Sequence, residues 1–164
     1  MEALRNYLKD MTKLESVMLV RLGEICDKEN IDFNKTDEMR EAVARAQSAA
    51  VAELKERQAP YYAVTYPQLL YKCPSCREEL KGAYWEISNP VTNARGVFRV
   101  RLMHEFLAHG ESHYVEPIIN MSDTKLGDDD HQLDAKKLAK ILQGLALPPE
   151  AAAELESAAA AAGK

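Results

Sequence analysis

Apolar positions near the start of the chain recur with helical spacing. Leu4, Met11, Met18 and Ile25 repeat every seven residues, Tyr7 and Leu14 fill the intermediate turn, and Leu8 and Leu22 widen the stripe. A repeat of this kind keeps one seam facing a partner helix and predicts a single amphipathic helix over residues 2–28. Arg21 interrupts the seam, which suits a helical hairpin or bundle better than a long coiled coil. Residues 29–36 read as a polar connector. Thr36 is a suitable N-cap, and Asp37 and Glu38 place negative charge in the first turn of a second helix. That helix runs to about Gln58, where Ala59-Pro60 ends it, and its expected inward face is Met39, Val43, Ala46, Ala50 and Leu54. The alanines leave room for another helix to approach closely.

From Tyr61 the pattern changes. Tyr61 to Tyr66 is rich in β-forming residues and is stopped by Pro67, and Leu69-Leu70-Tyr71 leads into Cys73-Pro74-Ser75-Cys76. Residues 83–87 and 97–100 read as two short strands, with turn residues Asn89-Pro90 and Asn93 to Gly96 between them. The stretch from Arg77 to Gly82 has room for a single helical turn at most. Leu102 to His109 is helical, with Gly110 as its stop, and His113 to Met121 is extended. Asp134 caps a helix through Leu142 that Gly144 ends, and Pro148-Pro149 opens a last helix grading into an alanine-rich tail. The prediction is an α+β chain in three parts. These are a helical hairpin over residues 1–58, a zinc-stabilised β-hairpin and helix over 61–121, and C-terminal helices with the tail over 122–164.

Composition narrows the class. The chain has 164 residues, 46% hydrophobic and 29% charged, the balance of a globular protein. Its aromatic residues, apart from Tyr7 and Phe33, lie between Tyr61 and Tyr114, so the densest core is expected in the middle. No apolar run approaches the roughly 20 residues that span a bilayer. The polar opening Met1 to Asn6 lacks the basic start and apolar stretch of a secretory signal, so a cytoplasmic location is expected. A net charge of −5, with both signs mixed along the chain, argues against a nucleic-acid partner.

Three cysteines in such a chain point to metal rather than to a disulfide framework. Cys26 falls in an apolar helical pattern and reads as a small buried hydrophobe. Cys73 and Cys76 stand three positions apart, followed by the two strands and then by a helix bearing His104 and His109. Two thiolates neutralise the charge of Zn²⁺, and two neutral imidazoles complete a tetrahedron without adding charge. The order of knuckle, two strands and helix resembles zinc-finger architecture of the treble-clef or ββα kind over residues 71–113. Two features depart from it. The gap from Cys76 to His104 is longer than in a DNA-reading finger, and Arg77 stands where zinc ribbons place glycine.

The histidine pair is a question of geometry. Positions five apart lie roughly 140° apart around a regular α-helix, so His104 and His109 meet one ion only if the last turn tightens or unwinds. His109 and His113 have the easier four-residue spacing, but with Gly110 inside the turn, which keeps His113 as the alternative ligand. Redox chemistry at the C-x-x-C pair would want a long helix directly after it, which Arg77 to Gly82 is too short to provide.

Three functions follow. The leading one is a structural zinc-binding accessory or adaptor subunit without catalytic activity of its own. It would dock on a larger assembly, or on a second copy, through the N-terminal helices. The second is a zinc hydrolase with Glu105 of His104-Glu105-Phe106-Leu107-Ala108-His109 as general base, although H-E-x-x-H enzymes space their histidines one residue closer. The third is a nucleic-acid-binding regulator using Arg95, Arg99 and Arg101. Asp128, Asp129 and Asp130, with His131 and Asp134, read as solvated acids ahead of a helix rather than as a calcium loop. Trp85 and the tyrosines are expected in the core around the knuckle.

Overall fold

The structure, a computed structural model, describes residues 1–110 and 133–162. In chain order the elements are α1 (Glu2–Lys9), β1 (Thr12–Lys13), α2 (Leu14–Glu29), α3 (Thr36–Arg57) and β2 (Tyr61–Thr65). Then come β3 (Leu70–Lys72), β4 (Glu79–Lys81), β5 (Tyr84–Ser88), β6 (Arg95–Arg99), α4 (Val100–His109), α5 (Ala135–Leu142) and α6 (Pro149–Ala162). The fold is mixed α+β.

The helix expected over residues 2–28 is cut in two. α1 ends at Asp10, and Thr12 and Lys13 leave the helical path to pair in parallel with Tyr61 and Tyr62. Edge-strand hydrogen bonds to β2 outweigh helix continuation at a β-branched threonine. The seven-residue seam is divided with it. Leu4, Leu8 and Met11 enter the main core, whereas α2 has no buried residue at all. The α1 N-terminus is closed by a distant residue, since the Glu154 carboxylate accepts from the Ala3 and Leu4 amides at 3.3 and 3.1 Å. The Leu4 amide foremost holds that carboxyl below its usual range.

α2 packs on α3 as a hairpin. The face α3 buries is Ala42, Ala46, Ala50 and Leu54, a strict four-residue repeat. Val43, expected inside, is exposed, and Met39 is half-buried with its sulfur 3.7 Å from that of Cys26, which is itself half-buried. Small side chains in the interface let the two backbones come close, and Ala42 serves that purpose better than a branched neighbour. α3 begins at Thr36 with no side-chain cap and ends on Gln58 in a left-handed conformation.

The main sheet has the order β1-β2-β5-β6, with β2, β5 and β6 antiparallel. β5 and the edge strand β6 pair Tyr84 with Arg99 and Ser88 with Arg95. The core against this sheet is built from Leu4 and Leu8 of α1, Ile87, Phe98, Met103 and Phe106 of the middle, and Leu138, Ala151 and Leu155 of the C-terminal helices. It therefore draws on both ends of the chain as much as on the aromatic middle. Asn89, anticipated as a turn residue, is fully buried and fully paired. Its amide donates to the Ile141 and Gln143 carbonyls at 2.9 Å, and its carbonyl accepts from the Val91 and Thr92 amides. This clamps the β5–β6 turn to the end of α5. Gly96 lets α5 lie tight on β6, since a Cβ there would meet the Ile141 side chain at 2.5 Å. Asp134 caps α5 by accepting from the Lys136 amide. Trp85 stacks on Tyr62 at 4.1 Å on the main sheet, away from the knuckle. No described helix is long and apolar enough to cross a membrane.

Candidate metal centre

β3 and β4 form a separate two-stranded sheet, pairing Leu70 with Lys81, Tyr71 with Leu80 and Lys72 with Glu79. The segment read as a helical turn is thus a strand, because Glu79 and Lys72 make a cross-strand pair of opposite charge and Leu80 packs opposite Tyr71. The connection between them carries Cys73-Pro74-Ser75-Cys76. It is closed by the Arg77 amide donating to the Cys73 carbonyl at 2.8 Å and by the Cys73 amide donating to the Glu78 carbonyl at 3.0 Å. Arg77 has φ of 62°, the left-handed conformation that glycine adopts without strain. The arginine at the position where ribbons place glycine is therefore a strained residue, held there by the closed turn.

The second pair of donors comes from α4, which leaves β6 directly. Its apolar face, Leu102, Met103, Phe106 and Leu107, is buried, and this anchors the helix with His104 facing inward at 7% exposure. The five-residue spacing of His104 and His109 is accommodated at the helix end. The Gly110 amide donates to both the Phe106 and the Glu105 carbonyls, and Gly110 itself has φ of 71°. A bond reaching back five residues widens the last turn toward the π form, which brings positions five apart onto one side. The two imidazole rings lie 5.0 Å apart, nearly perpendicular.

The four side chains converge. The Cys73 sulfur is 3.4 Å from His109 Nε2, and the Cys76 sulfur is 3.3 Å from His104 Nε2. One donor atom from each of Cys73, Cys76, His104 and His109 lies within 4.8 Å of every other, close enough to hold a metal ion. Cys73 and His104 are buried while Cys76 and His109 face solvent, so an ion there would sit at the rim of the fold. The Cys73 thiol is pushed down to about 6, chiefly by the Cys76 backbone amide and then by that of Ser75, the Cys76 and His109 side chains adding to the effect against the opposing cost of burial. The shift favours the thiolate, the form that binds metal.

Two neighbours complete the setting, Glu78, which did not stand out in the sequence, and Tyr71, one of the tyrosines expected around the knuckle. Glu78 brings a carboxylate oxygen to 3.9 Å from His104 Nδ1, on the far side of the ring from Nε2. A carboxylate behind a ligating imidazole orients it. The Tyr71 ring lies edge-on to His104 at 6.5 Å, and burial first, then the Cys73 charge, holds its hydroxyl in the neutral form by raising its pKa. The alternation of strand β3 would have placed Tyr71 and Cys73 on one face. Glu105 is on α4 but is not one of the four. Arg95 faces Glu86 at 3.8 Å. His113, Asp128, Asp129, Asp130 and His131 lie outside the described residues, as does the whole segment 113–121 expected to be extended. No protein-family model matches the chain, and comparison with curated proteins and with solved structures gives no match.

Proposed function

We propose that Cys73, Cys76, His104 and His109 bind one structural Zn²⁺, and that the chain is a non-catalytic accessory subunit of a larger cytoplasmic assembly. The observation that carries the reading is the convergence of two sulfurs and two imidazole nitrogens within 4.8 Å. A tetrahedral zinc with bonds of about 2.3 Å to sulfur and about 2.0 Å to nitrogen needs sulfur–nitrogen edges of roughly 3.5 Å. The two such contacts at 3.3 and 3.4 Å fit that tetrahedron with little movement. Two thiolates also balance the ion's charge, so the site is neutral when filled. The sequence of metal-bearing turn, β5–β6 hairpin and α4 supports a treble-clef-like module.

Four protein donors fill a tetrahedral zinc and leave no position for the water that a hydrolase activates. This favours a structural ion over catalysis with Glu105 as base. Docking through the N-terminal helices is supported by α2, which buries none of its residues and exposes Leu19 at 59% and Val20 at 56%. Apolar surface of this kind marks contact with another chain.

Zinc analysis with X-ray absorption of the purified protein tests the metal. One equivalent in a two-sulfur, two-nitrogen shell is expected, and a Cys73→Ser protein with native zinc content would overturn the assignment. Leu19→Glu with Val20→Glu tests docking. Both positions are exposed, so folding should hold while co-purification or self-association is lost. Unchanged assembly would remove α2 from the interface.

A further inference from the structure

We infer that Cys73 and Cys76 are a peroxide-sensitive thiol pair whose oxidation to a disulfide releases the ion and frees the β3–β4 arm from α4, an inference that rests on the zinc reading above. The two sulfurs lie within 4.8 Å of each other. They differ in access, since Cys76 faces solvent and Cys73 is buried at 1% exposure. The Arg77 amide, donating to the Cys73 carbonyl, closes the turn that carries both, so the pair is held side by side on one short stretch of backbone. The third thiol has no such neighbour. Cys26 is half-buried on α2 with the Met39 sulfur at 3.7 Å, and a thioether forms no disulfide.

The exposed sulfur meets the oxidant. The Cys76 thiolate attacks one oxygen of hydrogen peroxide, so that the S–O bond forms, the O–O bond breaks and hydroxide leaves. The Cys73 thiolate then attacks the Cys76 sulfur, the S–S bond forms, and the sulfenic oxygen leaves as a second hydroxide. Two electrons pass from the sulfurs to the peroxide, and both hydroxides take up a proton to become water. Thiolates and not disulfides are metal ligands, which leaves the ion only His104 and His109. Two neutral imidazoles neither fill a tetrahedral shell nor balance its charge, so the ion departs. The fold decides what then moves. α4 keeps its place because Leu102, Met103, Phe106 and Leu107 are buried in the main core. The arm has no such anchor, since Cys73 is its single buried residue between Leu69 and Lys81. One event per molecule also needs no long helix after the pair, unlike turnover by a redox catalyst.

The test uses the full-length protein as purified, its zinc content measured first, and one equivalent of hydrogen peroxide. A chromophoric indicator follows zinc release, and peptide mapping by mass spectrometry locates the oxidised sulfurs. Zinc should leave in step with a Cys73–Cys76 disulfide, at least about tenfold faster than Cys26 is modified. Amide exchange should then rise in β3 and β4 while α4 stays protected. A dithiol reductant with added zinc should restore both the metal and the protection. Zinc-bearing protein that keeps its metal and both thiols overturns the switch and leaves the zinc reading standing. Modification of Cys26 ahead of the pair, or Cys76 sulfinic acid without the disulfide, overturns it as well. A disulfide that forms with no change of exchange in the arm refutes the release of the arm. Protein purified under reducing conditions without zinc would instead refute the metal reading, and the release of the ion with it.

Discussion

Replacing His109 by alanine removes one metal donor while disturbing little else, because its side chain is exposed at the end of α4. The magnitude follows from the ligand count. Structural zinc sites bind with about 10–16 kcal/mol, and four donors sharing that energy contribute roughly 2.5–4 kcal/mol each. Losing one should weaken zinc affinity by about 10² to 10³. His104→Ala removes the same share and also empties a buried position against the Tyr71 ring, so it should combine weaker binding with a lower melting temperature. Competition with a chromophoric chelator gives the affinities. Cobalt substitution reports the geometry, because a closed tetrahedral site absorbs intensely in the visible, whereas His109→Ala admits water and dims the band. If His109→Ala binds zinc as tightly as the wild type, the two-histidine ligand set is wrong and the approach of its Nε2 to the Cys73 sulfur means nothing for metal binding.

Four further outcomes follow. Leu8→Ala, at a position 1% exposed, should destabilise the whole protein by about 2–5 kcal/mol in denaturant unfolding, and a loss confined to the α2–α3 hairpin would separate α1 from the main core. Arg77→Gly should leave stability unchanged or raise it by up to about 1 kcal/mol, because it relieves a left-handed residue in the knuckle; a clear destabilisation would show that the arginine side chain outweighs the strain. In the metal-free protein carrying Cys26→Ser, ultraviolet thiolate absorbance should begin to rise near pH 6. The folded value of Cys73 lies below its unfolded value of 9.0, so this group stabilises the fold fully above pH 9, less as pH falls, and not at all below about 6; stability that rises on acidification through that window would contradict it. Chelation should raise amide exchange in β3, β4 and residues 73–78 while the amides of β5 and α4 stay protected, and simultaneous loss of protection everywhere would make the metal part of the global fold.

Where the chain's own local signals agree with its tertiary contacts, the sequence was legible. Gly110 stops α4, Asp134 caps α5, and the turn residues around Asn89 and Asn93 connect a true hairpin. Misreadings fall where a distant partner decides. Periodicity alone continues the first helix through Thr12, and only β2, about fifty residues on, supplies the hydrogen bonds that end it. Seven- and four-residue spacings place Val43 and Ala42 equally well, and the close approach of α2 selects the smaller side chain. β4 is too short for a strand pattern to emerge, and its pairing depends on β3 across the knuckle. For the cluster, residue types and order pointed to the four side chains, but their convergence depends on the widened turn at Gly110, which spacing on a regular helix does not supply. Glu78 was invisible because surface carboxylates abound, and only the packing of α4 against the knuckle gives this one a partner.

The distribution of burial gives a reason for a metal at this place in the fold. The main sheet has Ile87 and Phe98 fully buried beneath α1, α4 and the C-terminal helices, so hydrophobic burial suffices to hold it. The β3–β4 arm has no such core. Its strands alternate exposed and half-buried positions, Leu70 faces water, and Cys73 is the single buried residue between Leu69 and Lys81. A two-stranded ribbon with so little apolar contact is marginal on its own. Binding of an ion across Cys73 and Cys76 on one side and His104 and His109 on the other would tie the arm to the helix that the core already fixes. The free energy of that coordination would replace the burial the arm lacks. It follows that the structural reach of such an ion would end at the arm and the last turn of α4, and that Leu69 and Leu70, exposed on the arm, would be held in place by the cluster behind them.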